Sequence, residues 1–220
     1  MRDLAKYIDH TILKATTTQQ DVVVLCNEAI AYGFAAVCVP PVYADVARRL
    51  LADTPIKIAT VIGFPLGYDC IPSKLAAIQD AMLHGATEID FVHNMAAIKN
   101  KHYEYAIAEV KACAEFVHSK GCAIKIIIES GVLSDEEIIA CCKAYTPLNV
   151  DFIKTSTGYA EQGASVHAVQ LIRQHIPSSM GIKASGGIKT AAFARELIAA
   201  GATRLGCSAS IAIVKEDKPA

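Results

Sequence analysis

Short apolar runs of high β-propensity alternate with longer amphipathic stretches along the whole chain. The runs predict strands at 7–10, 34–39, 57–62, 88–92, 123–129, 149–154, 181–185 and 203–206. The stretches between them predict helices at 19–32, 42–52, 73–84, 103–120, 135–144, 164–175 and 190–200, with a short last helix after Ser208. The punctuation agrees. Ser134-Asp135-Glu136-Glu137 reads as a capping box, and Gly85, Gly121 and Gly201 stand where a left-handed residue closes a helix. Eight strand–helix units imply a parallel sheet covered by helices. In 220 residues they predict an α/β fold, a single (β/α)8 TIM barrel over residues 1–220 with a short N-terminal helix. The competing doubly wound sheet would carry an early Gly-x-Gly-x-x-Gly turn, and the sequence has none. No linker or low-complexity segment divides the chain, and the tail from Lys215 to Ala220 is expected to fray.

Strand side chains alternate between faces; in a barrel one face meets the helices and the other lines the interior. In 123–129, Ile124, Ile126 and Ile128 share the helix-facing side, which turns Lys125, Ile127 and Glu129 inward. The same parity turns Lys154 inward opposite Ile153, Lys183 opposite Ile182, and Asp90 opposite Ile89 and Phe91; Asp9 follows Ile8. The interior therefore collects Asp9, Asp90, Lys125, Lys154 and Lys183. Three lysines against two aspartates leave a cation without a partner. Burial and a cationic neighbour both lower a lysine pKa, and such a lysine is a nucleophile toward carbonyls. Lys154 in Asp151-Phe152-Ile153-Lys154-Thr155-Ser156-Thr157-Gly158 and Lys183 in Gly181-Ile182-Lys183-Ala184-Ser185-Gly186-Gly187 are thus candidates for imine chemistry. Glu129 is expected to contact Lys125, with no catalytic role.

Composition narrows the partners. A net charge of −1 and a pI near 6.6 offer no footprint for nucleic acid or an anionic membrane. No apolar run approaches the ~18 residues of a membrane span, and the N-terminus has no secretory apolar region, so a cytoplasmic location is expected. The eight cysteines show no Cys-x-x-Cys pair and read as reduced core thiols. Neither they nor the seven histidines have metal-ligand spacing, so no metal is expected. His84, His102, His118, His167 and His175 are expected on the surface, and His93 and Asn94 either at the barrel mouth or in an ordinary loop. Ser185-Gly186-Gly187 after the seventh strand and Gly206-Cys207-Ser208 after the eighth stand where barrels cradle phosphate. Glycine lets backbone N–H groups approach an anion, and the Thr155–Gly158 loop can add donors. The expected substrate is a small phosphorylated carbonyl compound.

These residues also carry a resemblance. Ile8-Asp9-His10-Thr11, Ala36-Val37-Cys38-Val39, Val61-Ile62-Gly63-Phe64-Pro65-Leu66-Gly67, Glu88-Ile89-Asp90, Lys125-Ile126-Ile127-Ile128-Glu129-Ser130-Gly131, the two lysine motifs and Arg204-Leu205-Gly206-Cys207-Ser208 are similar to the deoxyribose-phosphate aldolase family of class I, Schiff-base aldolases. The resemblance covers nearly the whole chain. It implies that Lys154 forms the imine and that Lys183 lowers the pKa of Lys154 and joins the proton relay. Asp90 would move protons through a water. Asp9 and Lys125 would hold the network, Cys38 would line the site, and Gly158, Gly186, Gly187 and Ser208 would bind phosphate. It further implies reversible cleavage of a phosphorylated deoxysugar without a metal or cofactor, and assembly as a homo-dimer or homo-tetramer.

Three departures bear on these expectations. Some relatives have a phosphate-reaching lysine where Tyr159 stands, some have two serines where Ser208-Ala209 stands, and some end in a tyrosine that assists proton transfer. Ala220 is the last residue here, which leaves that last role vacant or to water. The alternatives are another Schiff-base aldolase or transaldolase-like enzyme on the same barrel, a carboxylate-based isomerase, and a non-catalytic sugar-phosphate binder.

Overall fold

Eight strands, all parallel among the described residues, close on themselves in chain order, with β1 (Ile8–Thr11) hydrogen-bonded to both β2 (Ala36–Val39) and β8 (Arg204–Cys207). The structure is a computed structural model and describes residues 3–217. The remaining strands are β3 Lys57–Ile62, β4 Glu88–Val92, β5 Ala123–Ile127, β6 Phe152–Lys154 and β7 Gly181–Ser185. The helices are α1 Gln19–Tyr32, α2 Ala44–Leu51, α3 Ile71–Leu83, α4 Met95–Lys99, α5 Tyr103–His118, α6 Asp135–Tyr145, α7 Val166–His175, α8 Ala191–Ala199 and α9 Ser210–Asp217. A 3-10 turn at Leu4–Tyr7 is the short N-terminal helix, and closure of the sheet rules out the doubly wound alternative.

The differences from expectation are local. Five-residue α4 is too short to show helical periodicity in the sequence. β5 stops at Ile127 because the chain turns off the ladder at Glu129, whose φ is +52°. Lys215–Asp217 belong to α9 rather than to a frayed tail, and residues 218–220 lie outside those described. The predicted Ser134 capping box is present, and Gly85, Gly121 and Gly201 all have positive φ.

The main core lies between the sheet and the helices. Outward strand residues such as Val37, Ile58, Ile89, Ile124 and Ile182 are buried against Leu25, Ile78, Val110, Ile172 and Leu197 of the helices. Each such side chain contributes about 1.5–3 kcal/mol through burial. All eight cysteines are free and six of them are buried. No helix of the described residues is long and apolar enough to cross a membrane.

A buried ion pair ties the loops after β3 and β4. Lys74 Nζ donates to Glu109 Oε1 (2.7 Å), the Gly67 carbonyl (2.7 Å) and the Val92 carbonyl (2.9 Å), and lies 4.7 Å above the Phe91 ring. Beside it, His93 is wholly buried, so its role is framework rather than mouth. Its Nε2 is 3.1 Å from the Ile128 carbonyl and its Nδ1 is 2.7 Å from the Tyr145 hydroxyl. A carbonyl only accepts, so Nε2 carries the proton and Nδ1 accepts from the tyrosine. Asn94 caps α4. Of the histidines expected on the surface, His84, His102 and His167 are exposed, whereas His118 and His175 are half-buried.

Burial lowers the His93 pKa to about 3. The unfolded chain would protonate this ring near 6.5. The unfolded state therefore binds the extra proton as pH falls below about 6.5, and stability falls with it, at a slope approaching about 1.4 kcal/mol per pH unit. A His93→Gln variant lacks this liability. Its deficit relative to wild type, measured by urea unfolding, should shrink between pH 7 and pH 5; a constant deficit would remove His93 as the source.

Candidate active site

Register assembles the interior charges. Asp90 pairs across the β4–β5 ladder with Lys125, Lys154 across β6–β7 with Lys183, and Asp9 across β1–β8 with Gly206. A one-residue slip in any of these strands would turn its charge into the apolar helix layer. Asp90 Oδ1 accepts from Lys125 Nζ at 3.0 Å, and Asp90 Oδ2 accepts from both Lys154 Nζ and Lys183 Nζ at 2.7 Å. Asp9 accepts from Lys183 through one oxygen and from Arg204 at 2.5 Å through the other. Glu88 accepts from Lys125 at 2.5 Å and Arg204 at 3.0 Å. All five predicted interior residues are thus in one network.

Glu88 and Arg204 complete that network and were missed, although the sequence carried the signal. Glu88 has the parity of Asp90 two residues on, and Arg204 lies opposite apolar Leu205. The Phe152 ring lies 5.8 Å from both the Lys125 ammonium and the Arg204 guanidinium. Gly181 makes room for that ring, since a Cβ there would sit 2.3 Å from it. Gly206 does the same for Lys183, whose Cε would be 3.1 Å from an added Cβ.

The network holds four basic side chains against three carboxylates, and the surplus falls on Lys154. Its pKa is lowered, first by desolvation and then by the Lys183 charge, against the pull of Asp90. Lys183 is equally buried, but Asp9 and Asp90 outweigh the desolvation and raise its pKa, so it stays charged. Burial alone would lower the Lys125 pKa, and Asp90 and Glu88 reverse this. Asp90 is held well below the usual carboxylate range by Lys125, Lys154 and Lys183, despite the opposing cost of burial.

Above this network, at the strand C-terminal ends, opens a cavity of about 540 Å³. Of the three interior lysines only Lys154 lines it. Gly158, Gly186, Gly187 and Ser208 line it too, so the structure gathers the predicted anion loops around the lowered amine. Gly158 and Gly186 have φ near +87° and +86°, and a Cβ on Gly186 would lie 3.0 Å from Gly163 Cα and 3.3 Å from Gly158 Cα. This close backbone approach requires glycine.

Cys38 is wholly buried in the barrel interior with Ala59 and Val61, packed by Leu13 and Phe64; the charges of Lys183, Asp90, Lys154 and Asp9 reach it, and burial pushes its thiol pKa up. One expectation is corrected. Glu129 does not contact Lys125. Its left-handed backbone swings it to Thr157, whose N–H (3.2 Å) and hydroxyl it accepts, anchoring the loop after β6. His10 is a cavity residue that parity missed, because it faces the helices: Nε2 is 2.8 Å from Glu28 Oε2 and Nδ1 is 2.9 Å from Ser210 Oγ. Among the described residues, no group of three or more His, Cys, Asp or Glu is arranged to hold a metal ion.

Comparison with known proteins places this geometry. A model of the DeoC/LacD family aldolases matches residues 4–214. The chain belongs to the DeoC/LacD aldolase family. It is 44% identical to a deoxyribose-phosphate aldolase of Thermoanaerobacter pseudethanolicus over 215 residues, 97% of this chain and 96% of that protein. It is 46% identical to one from Aciduliprofundum boonei over 214 residues, 97% of this chain and 96% of that protein. The tetrameric deoxyribose phosphate aldolase structure from Aeropyrum pernix superposes with a TM-score of 0.90 at 32% identity, covering 96% of this chain and 89% of that one.

Removing one member of a buried ion network leaves its partners charged and unpaired, at a cost of about 3–5 kcal/mol. Glu88→Gln, which leaves Lys125 with Asp90 alone and Arg204 with Asp9 alone, should lose up to that much in urea unfolding. A loss under about 1 kcal/mol would mean that water reaches these groups.

Proposed function

We propose that this family member is a class I aldolase that reversibly cleaves 2-deoxy-D-ribose 5-phosphate to acetaldehyde and D-glyceraldehyde 3-phosphate. One observation carries the reading: two lysines converge on a single carboxylate oxygen, and only the one whose pKa is lowered faces the cavity. The relatives named deoxyribose-phosphate aldolase supply the substrate. Another Schiff-base aldolase on this barrel would use the same lysine with a different acceptor.

The neutral Lys154 amine attacks C1 of the open-chain sugar and forms a carbinolamine. Loss of water gives an iminium, which draws electrons from the C2–C3 bond. Deprotonation of the C3 hydroxyl breaks that bond, releasing glyceraldehyde 3-phosphate and leaving an enamine on Lys154. Protonation at C2 and hydrolysis free acetaldehyde and the amine. Lys183, held charged, is the acid beside Lys154, and ionised Asp90, within hydrogen-bond reach of both, is the base that exchanges protons with them. Asp9 and Lys125 hold that pair in place. Gly158, Gly186, Gly187 and Ser208 receive the phosphate with backbone donors near the start of α9. No metal or organic cofactor enters these steps. The working protein is a cytoplasmic homo-oligomer, a dimer or tetramer; the Aeropyrum pernix relative, described as tetrameric, supports assembly.

Borohydride with acetaldehyde should leave a reduced adduct on Lys154, mapped by mass spectrometry. Lys154→Leu should lose both the adduct and, by several orders of magnitude, release of glyceraldehyde 3-phosphate. An adduct on another lysine would overturn the assignment. Lys183→Met removes the cation that adds to desolvation in lowering the Lys154 pKa, so the pH profile of adduct formation should move alkaline. An unmoved profile would make desolvation the sole cause.

A further inference from the structure

We infer that Lys14 is the cation that receives the substrate's phosphate, and that Tyr159 positions it. This rests on the aldolase reading above, and it assigns a residue that neither the motifs nor the interior network singled out.

The argument begins with the charges lining the cavity: His10, Lys14, Asp21, Glu28 and Lys154. Four of the five are engaged. Lys154 is held by Asp90. His10 and Glu28 hold each other. Asp21 Oδ2 accepts from the Thr18 N–H and the Thr18 hydroxyl, both at 2.8 Å, as part of the cap of α1. Among the described residues, Lys14 is the one charged side chain of this lining without a hydrogen bond or ion pair; its charge acts on the carboxylate of Asp21 without pairing with it. A phosphate dianion entering a low-dielectric cavity needs compensating charge beyond backbone dipoles. Lys154 cannot supply it, because its chemistry requires the neutral amine.

The loop that bears Lys14 is fixed, which limits the entropy lost on ligand binding. The Tyr159 hydroxyl donates to the Leu13 carbonyl at 2.7 Å, one residue before Lys14. The Tyr43 hydroxyl donates to the Thr17 carbonyl at 2.8 Å, and the Thr17 N–H closes a turn onto the Lys14 carbonyl at 3.0 Å. The Tyr159 ring is held edge-on by Phe64, with centroids 5.3 Å apart. Tyr159 thus ties the loop after β1 to the glycine loop after β6. A lysine at 159 would follow Gly158 directly and also border the cavity.

The test compares deoxyribose 5-phosphate with unphosphorylated deoxyribose. Lys14→Met should raise KM for the phosphorylated sugar about tenfold with kcat nearly unchanged. Cleavage of deoxyribose should not change. Lys14→Arg should keep most of the affinity, Tyr159→Phe should raise KM by a smaller factor, and Tyr159→Lys in the Lys14→Met background should restore it. Titration of wild type and Lys14→Met with inorganic phosphate reads the same site without turnover. An unchanged KM and unchanged phosphate binding in Lys14→Met, or equal losses on both sugars, would overturn the inference. If wild type turns over no deoxyribose 5-phosphate yet binds phosphate through Lys14, the aldolase reading fails while this assignment stands.

Discussion

The carboxylate of Asp90 has no exposed surface and accepts hydrogen bonds from three lysines. In a medium of low dielectric, a buried ammonium group needs such a partner. Yet one anion cannot satisfy three cations equally. Lys125 shares Glu88 and Lys183 shares Asp9, while Lys154 has Asp90 alone. The imbalance selects which amine has the lowered pKa. Chemistry here follows from how many partners each lysine has rather than from anything special in its own side chain.

The barrel interior is divided to make that arrangement possible. On the β2–β3 side, Ala36, Cys38, Ala59 and Val61 keep it apolar and small. The strands from β4 round to β1 carry the long charged side chains. Space for these comes from Gly181 and Gly206 rather than from a wider barrel. Strand closure and ion pairing therefore reinforce each other: register brings the partners together, and their pairing opposes slippage.

Much of this was legible in the sequence because period-2 alternation is a strict geometric rule. It places Asp90, Lys125, Lys154 and Lys183 inside the barrel. It applies equally to Glu88 and Arg204, the first residues of β4 and β8. The rule failed where the backbone left the ladder. Glu129 was extrapolated as strand, but a left-handed residue redirects its carboxylate to Thr157. His10 obeys the alternation and faces outward, where it bonds Glu28 of α1 and Ser210 of α9 at the cavity's edge. Contacts such as Tyr159 to Leu13 span 146 positions and depend on loop conformations that carry no periodic signal.

The lowered pKa of Lys154 also ranks the lysines of this chain for any acylating or aldehyde reagent. At any pH below the ordinary lysine range, where solvent-facing lysines are held by protons, a small electrophile that enters the cavity meets an amine that gives up its proton more readily. Random conjugation or glutaraldehyde immobilisation therefore puts Lys154 at risk together with the surface lysines. A competing anion or carbonyl ligand in the coupling buffer would shield it.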